Sequence, residues 1–234
     1  VPEFYADTQF NLNPQRIINQ LIEARTANLA AKPVIVGPIT YLWLGKEKDG
    51  SDKKELLERI IPEYTKLLEI LAASGVEWVQ IDEPILVTEL ENEWLDMLKD
   101  AYQQLSATKI KIMLATYFGK LEENLKPALS IPVDAIHIDA VRGKSEVKDI
   151  IRLLPENMQL SLGVIDGRNI WRSNLTEILN WLEPIYQQLG NKLWIAPSCS
   201  LLHVPVDLEL EEKMDGEIKS WLAFAVQKLE ELNI

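Results

Sequence analysis

Glu77–Trp78–Val79–Gln80–Ile81–Asp82–Glu83–Pro84 is an apolar run that ends abruptly in two carboxylates and a proline. Val79 and Ile81 favour extended backbone, and Pro84 has no N–H with which to continue a buried ladder. Asp82 and Glu83 therefore fall where a strand stops and a loop begins. Acids at the carboxyl end of a buried parallel strand are where α/β proteins keep their chemistry. A plainer reading stands beside it: Asp82 caps the next turn and Glu83 is solvated, since acids are common near turns.

Upstream, Pro33–Val34–Ile35–Val36–Gly37–Pro38 is a second short strand, closed by Gly-Pro. Asn13–Pro14 starts a helix, with Asn as cap and Pro at the first helical position. Residues 1–12 read as irregular. Asp52 with Glu55 reads as a capping box for a helix whose stripe is Leu56, Leu57, Ile60, Ile61, Tyr64, Leu67, Leu68 and Leu71. Pro62 falls inside it and Ser74–Gly75 ends it.

Downstream the alternation repeats. Strands are expected at 110–115, 135–139, 159–164 and 193–196, and helices at 91–105, 121–129, 145–154, 174–188 and 209–232. Apolar strands alternating with amphipathic helices give a parallel sheet covered by helices, here six βα units without a composition break. The residues just past each strand form the candidate site: Gly37 and Pro38, Asp82, Glu83, Thr116, Tyr117, Phe118, Asp139 with Arg142, Asp166 to Asn169, and Ser198, Cys199 and Ser200. Their clustering at one end of the sheet is a barrel-mouth pattern.

Composition limits the partners. The 234 residues carry 24 basic and 36 acidic side chains, a net charge of −12, which argues against nucleic acid. No apolar run reaches the ~18 residues of a membrane span. One cysteine permits no intrachain disulfide and fits a reducing, cytoplasmic setting. Cys199 reads first as a small buried hydrophobe, and as a nucleophile or metal ligand second. His137, flanked by Ile136 and Ile138, reads as a satisfied structural histidine, and nothing marks His203 as catalytic. One Cys and two His are too few and too scattered for a convincing zinc site, and no Gly-rich phosphate loop is present.

Five stretches together resemble one family: Val1–Phe4, Pro33–Gly45, Glu77–Pro84, Asp166–Arg172 and Ser198–His203. They are similar to the N-terminal half of the cobalamin-independent methionine synthases, in the family's order and along the whole chain. The resemblance implies an incomplete (βα)8 TIM-barrel domain over residues 1–234, with the last six of eight βα units present and the first two strands missing. The start at Val1 then reads as the middle of a longer protein. Family enzymes move a methyl group from 5-methyltetrahydrofolate polyglutamate to homocysteine, making methionine. Their C-terminal barrel holds a zinc ion that activates the homocysteine thiol.

Aligning the two barrels of that duplication places Thr116 and Phe118 at the His and Cys of the zinc pair. Asp139 falls at the Glu, and Cys199 at the last Cys. Neither a Thr nor a Phe in those positions replaces the ligand it stands for, so the resemblance implies an emptied metal site and no zinc in this segment. Asp82 matches the acid that holds the homocysteine amino group. Implied partners are the C-terminal catalytic barrel and the missing strands, with the basic segment that contacts the folate tail lying among the latter. The resulting expectation is a supporting barrel, inactive alone. Two alternatives remain: a free-standing methyltransferase or uroporphyrinogen decarboxylase-like barrel with its own pocket at Asp82, Asp139 and Cys199, and a binding module without turnover.

Overall fold

The computed structural model describes residues 1–233. Residues divide into two compact units, Val1–Thr116 with Leu121–Ala135, and Tyr117–Lys120 with residue 136 onward.

In the first unit β1 (Glu3–Phe4) precedes α1 (Gln15–Thr26), β2 (Val34–Val36), α2 (Pro38–Leu44) and β3 (Lys46–Glu47). Then come α3 (Lys53–Ala73), β4 (Trp78–Asp82), α4 (Asn92–Leu105), β5 (Lys111–Thr116) and α5 (Leu125–Ser130). β4 is the central strand. It pairs in parallel with β2, Ile35 opposite Ile81, and with β5, Ile81 opposite Leu114. Val79, Ile81, Ile112 and Leu114 are buried with the α3 stripe of Leu56, Leu57, Ile60, Ile61, Leu68 and Leu71. Burying a side chain of that size is worth ~1.5–3 kcal/mol, so this layer holds the unit together.

The second unit contains β6 (Ala135–Asp139, from Ile136 on), α6 (Val147–Leu153), β7 (Gln159–Ile165), α7 (Leu175–Leu189), β8 (Leu193–Pro197), α8 (Gly216–Ser220) and α9 (Ala225–Glu231). The strand order is β6-β7-β8, and β8 runs parallel to β7 with Leu162 opposite Ile195. All six strands expected from the sequence form, most within a residue or two of their expected limits.

Three expectations differ from what forms. Residues 1–12 are not wholly irregular: β1 pairs in parallel with β3, and Phe4 is buried against Tyr41 and Phe10. Asp52 does cap α3, by accepting from Lys54 N at 2.7 Å, but Glu55 leans towards Arg59 at 3.5 Å rather than closing a box. The single closing helix at 209–232 is broken. Between α8 and α9 the backbone turns to pair with the 170–172 stretch: Ala223 N donates to Ile170 O at 2.8 Å and Arg172 N to Trp221 O at 2.9 Å. Leu222 and Phe224 are buried there with Leu208, which outweighs helix continuity.

No helix among the described residues is long and apolar enough to cross a membrane.

Candidate functional site

The first unit places Asp82 at the last position of β4 and Glu83 one residue beyond it. Glu83 is not solvated; it is fully buried. Its two carboxylate oxygens accept from Ile39 N at 3.2 Å and Thr40 N at 2.7 Å, the second and third residues of α2. Tyr102 OH donates to it at 3.2 Å from α4. Gly37, the N-cap of α2, has no side chain with which to cap it. Glu83 supplies that cap from the neighbouring strand, where the helix dipole favours an acid. Burial nevertheless dominates, pushing the Glu83 carboxyl up to about 7 against the pull of its donors. Asp82 accepts from Gln80 Nε2 at 2.9 Å, and its charge offsets part of the burial that lowers the Lys32 ammonium. Thr116, the last residue of β5, is buried.

The second unit gathers Tyr117, Phe118, Asp139, Arg142, Asp166, Ser198 and Cys199. Asp139 ends β6, and its side chain has no solvent exposure. One oxygen accepts from Val141 N at 3.0 Å and Arg142 N at 2.9 Å, and the other from Arg142 Nη1 at 3.1 Å. The same guanidinium reaches Asp166 at 3.3 Å. Asp166 also accepts from Arg168 N and Asn169 Nδ2, both at 2.8 Å. Arg142 therefore satisfies both carboxylates, which leaves them as a fixed clamp rather than free acids or metal ligands. Removing one partner leaves a buried charge behind. Arg142→Met is accordingly expected to cost about 2 kcal/mol in urea unfolding, and the double change with Asp139→Asn to recover part of it. Equal losses for the single and double variants would contradict a clamp.

Ser198 is buried, accepting from Gly167 N at 3.1 Å. A Cβ on Gly167 would lie 3.0 Å from Cys199 Sγ, so this glycine makes the room that the thiol fills. Burial pushes the Cys199 thiol up, away from the thiolate a nucleophile or ligand needs. His137 is buried and shares a 2.9 Å hydrogen bond with Ser161 Oγ, as its apolar neighbours suggested. No group of three or more His, Cys, Asp or Glu among the described residues is arranged to hold a metal.

Phe118 was less legible. It stands just past β5 with φ at +81°, left-handed backbone that a bulky residue rarely adopts. Its ring meets Tyr117 at 5.2 Å and His203 edge-on at 5.7 Å, and the Arg168 guanidinium lies over it at 5.1 Å. Positive φ leaves no signature in a single sequence unless the residue is Gly or Asn.

A family model described as "Cobalamin-independent synthase, N-terminal domain" matches residues 1–190. The chain belongs to that family. Solved structures share this synthase domain's fold. Against a vitamin-B12-independent methionine synthase from Listeria monocytogenes the TM-score is 0.69 at 14% identity, covering 99% of this chain and 72% of that one. Against a B12-independent methionine synthase from a Shewanella species, in complex with selenomethionine, it is 0.66 at 14%, covering 96% and 66%. A methyltransferase from Methanosarcina mazei gives 0.62 at 12%, covering 81% and 59%. The α/β, TIM-barrel-like fold expected of the synthase domain is thus shared with these enzymes. Within the second unit, Phe118 offers a phenyl ring, Asp139 an Arg-clamped carboxylate and Cys199 a buried thiol. Those residues do not fit a zinc ion.

Proposed function

We propose that residues 1–234 are the supporting, zinc-free barrel domain of a cobalamin-independent methionine synthase. It comprises the last six of eight βα units, and is inactive alone. The parent enzyme would transfer the methyl group of 5-methyltetrahydrofolate polyglutamate to homocysteine in a C-terminal, zinc-bearing catalytic barrel. Strand ends of the second unit, at Tyr117, Asp139, Asp166 and their neighbours, would contribute to the substrate cleft. The missing strands would pair against β2, whose Val34 and Val36 are about half exposed, at 51% and 49%. The setting would be cytoplasmic.

The match of the N-terminal-domain model over residues 1–190 carries this reading. The Arg142 clamp supports the absence of chemistry here, because Asp139 is already engaged in an ion pair. A free-standing enzyme with a pocket at Asp82, Asp139 and Cys199 would need that acid and that thiol free to act. Glu83 is better described as the cap of α2 than as a pocket wall.

The test is methionine formation from homocysteine and methyltetrahydropteroyl-triglutamate with zinc supplied. The chain alone should give none, and adding a catalytic half from a family member together with the missing N-terminal strands should give turnover. Methionine made by the chain alone would overturn the reading.

A further inference from the structure

We propose that Phe118, Arg168 and His203 form a binding corner for a carboxylate on a short aliphatic stem. It extends the functional reading above and depends on it only for the choice of probe ligands. The corner lies within the second unit, on residues that the clamp does not use.

The guanidinium of Arg168 lies over the Phe118 ring at 5.1 Å. The ring contact makes no hydrogen bond, so the exposed guanidinium keeps N–H donors to offer a ligand. No described carboxylate forms an ion pair with the Arg168 side chain. The nearest acid along the chain, Asp166, is held by Arg142, Asn169 and the main-chain N–H of Arg168 itself. An exposed guanidinium fork beside a ring, with no ion-paired acid among the described residues, stands out in a chain of net charge −12. Its geometry matches the two oxygens of a carboxylate.

His203 approaches the same ring edge-on, with centroids 5.7 Å apart and planes at 77°. It too is exposed and supplies a second N–H donor beside the ring. The Phe118 and Tyr117 rings, 5.2 Å apart, give the apolar wall along which a methylene stem would lie. Phe118 is held at φ +81°, a conformation that costs of order 1–3 kcal/mol and tends to persist where a side chain must be aimed. Two carboxylates share this chemistry, that of a free amino acid and that of a γ-glutamyl tail, and the experiment separates them.

The chain has only two histidines, His137 and His203, so the imidazole NMR spectrum has a reporter in the corner and a control outside it. His137 is buried against Ser161 and Tyr117 and should not respond. The full chain, labelled at histidine, is titrated with L-methionine and with γ-triglutamate, and with their carboxamides. A saturable shift of the His203 signals with either carboxylate but not with its amide is expected, and the stronger ligand identifies the source. Arg168→Gln should raise the dissociation constant about tenfold or more, and Arg168→Lys, which keeps charge but loses the fork, by an intermediate factor. The His137 signals in each variant show whether the fold is intact. The proposal is overturned if His203 is unmoved by both carboxylates, if the amides shift it equally, or if Arg168→Gln leaves the affinity unchanged. Because the readout is binding, its failure would leave the methyltransferase reading standing, and failed turnover would leave this corner standing.

Discussion

Gly37→Ala is expected to destabilise the first unit by at least about 4 kcal/mol, enough to prevent folding at ordinary temperature. A Cβ at this position would lie 2.1 Å from both the Cδ and the Oε1 of Glu83. Movement of a flexible side chain normally relieves such an overlap cheaply. Here it cannot, because the Glu83 carboxylate is buried and fixed by Ile39 N, Thr40 N and Tyr102 OH. Yielding to the methyl group would uncap α2 and leave two buried N–H groups unsatisfied. The comparison is with the same change made in Glu83→Ala protein, where the carboxylate is gone. The alanine should cost far less there, so that the two changes are strongly non-additive. Additive losses in urea unfolding would show that Gly37 and Glu83 act separately.

Glu83 itself should give stability an unusual pH dependence. Burial holds its carboxyl up to about 7 in the folded chain, whereas an unfolded glutamate titrates near ~4.3. The folded state therefore binds a proton that the unfolded state has released. The stabilisation from this group is complete below about pH 4, falls as pH rises, and is gone above about pH 7, a change of ~4 kcal/mol. Other carboxylates contribute slopes of the opposite sign. The quantity to measure is the difference between the wild-type chain and Glu83→Gln, whose amide does not titrate. That difference should shift against the wild type between about pH 4 and pH 7, and level off above. A pH-independent difference would mean that the helix N–H groups and Tyr102 outweigh burial, and that Glu83 stays ionised throughout.

These two residues also mark the limit of the sequence reading. The strand Trp78–Asp82 was legible because β-branched residues and a terminal proline are local signals, and short apolar runs alternating with helical stripes placed the other strands. The helix Pro38–Leu44 was not, because its capping acid is 43 residues away at the end of another strand. The plainer of the two readings of Glu83, as a solvated acid, fails for the same reason, since sequence shows an acid beside a turn and not the two N–H groups waiting for it. The closing helix read as continuous because 209–232 has helical periodicity throughout. The break at 221–224 comes from pairing with residues 170–172, a tertiary contact. At the candidate site, the second unit carries Tyr117, Asp139, Asp166, Ser198 and Cys199 at or just past its strand ends. Their roles were not legible: Arg142 is what converts Asp139 and Asp166 from candidate acids into a clamp, and the left-handed backbone of Phe118 is silent in a phenylalanine codon.

The most direct test of a silent, supporting barrel is metal analysis of the purified full chain after zinc loading and exhaustive dialysis. With Asp139 held by Arg142, Phe118 offering no donor and the Cys199 thiol raised by burial, the chain should retain no zinc above background, and Cys199→Ser should change nothing. One zinc per chain, lost in Cys199→Ser, would contradict it.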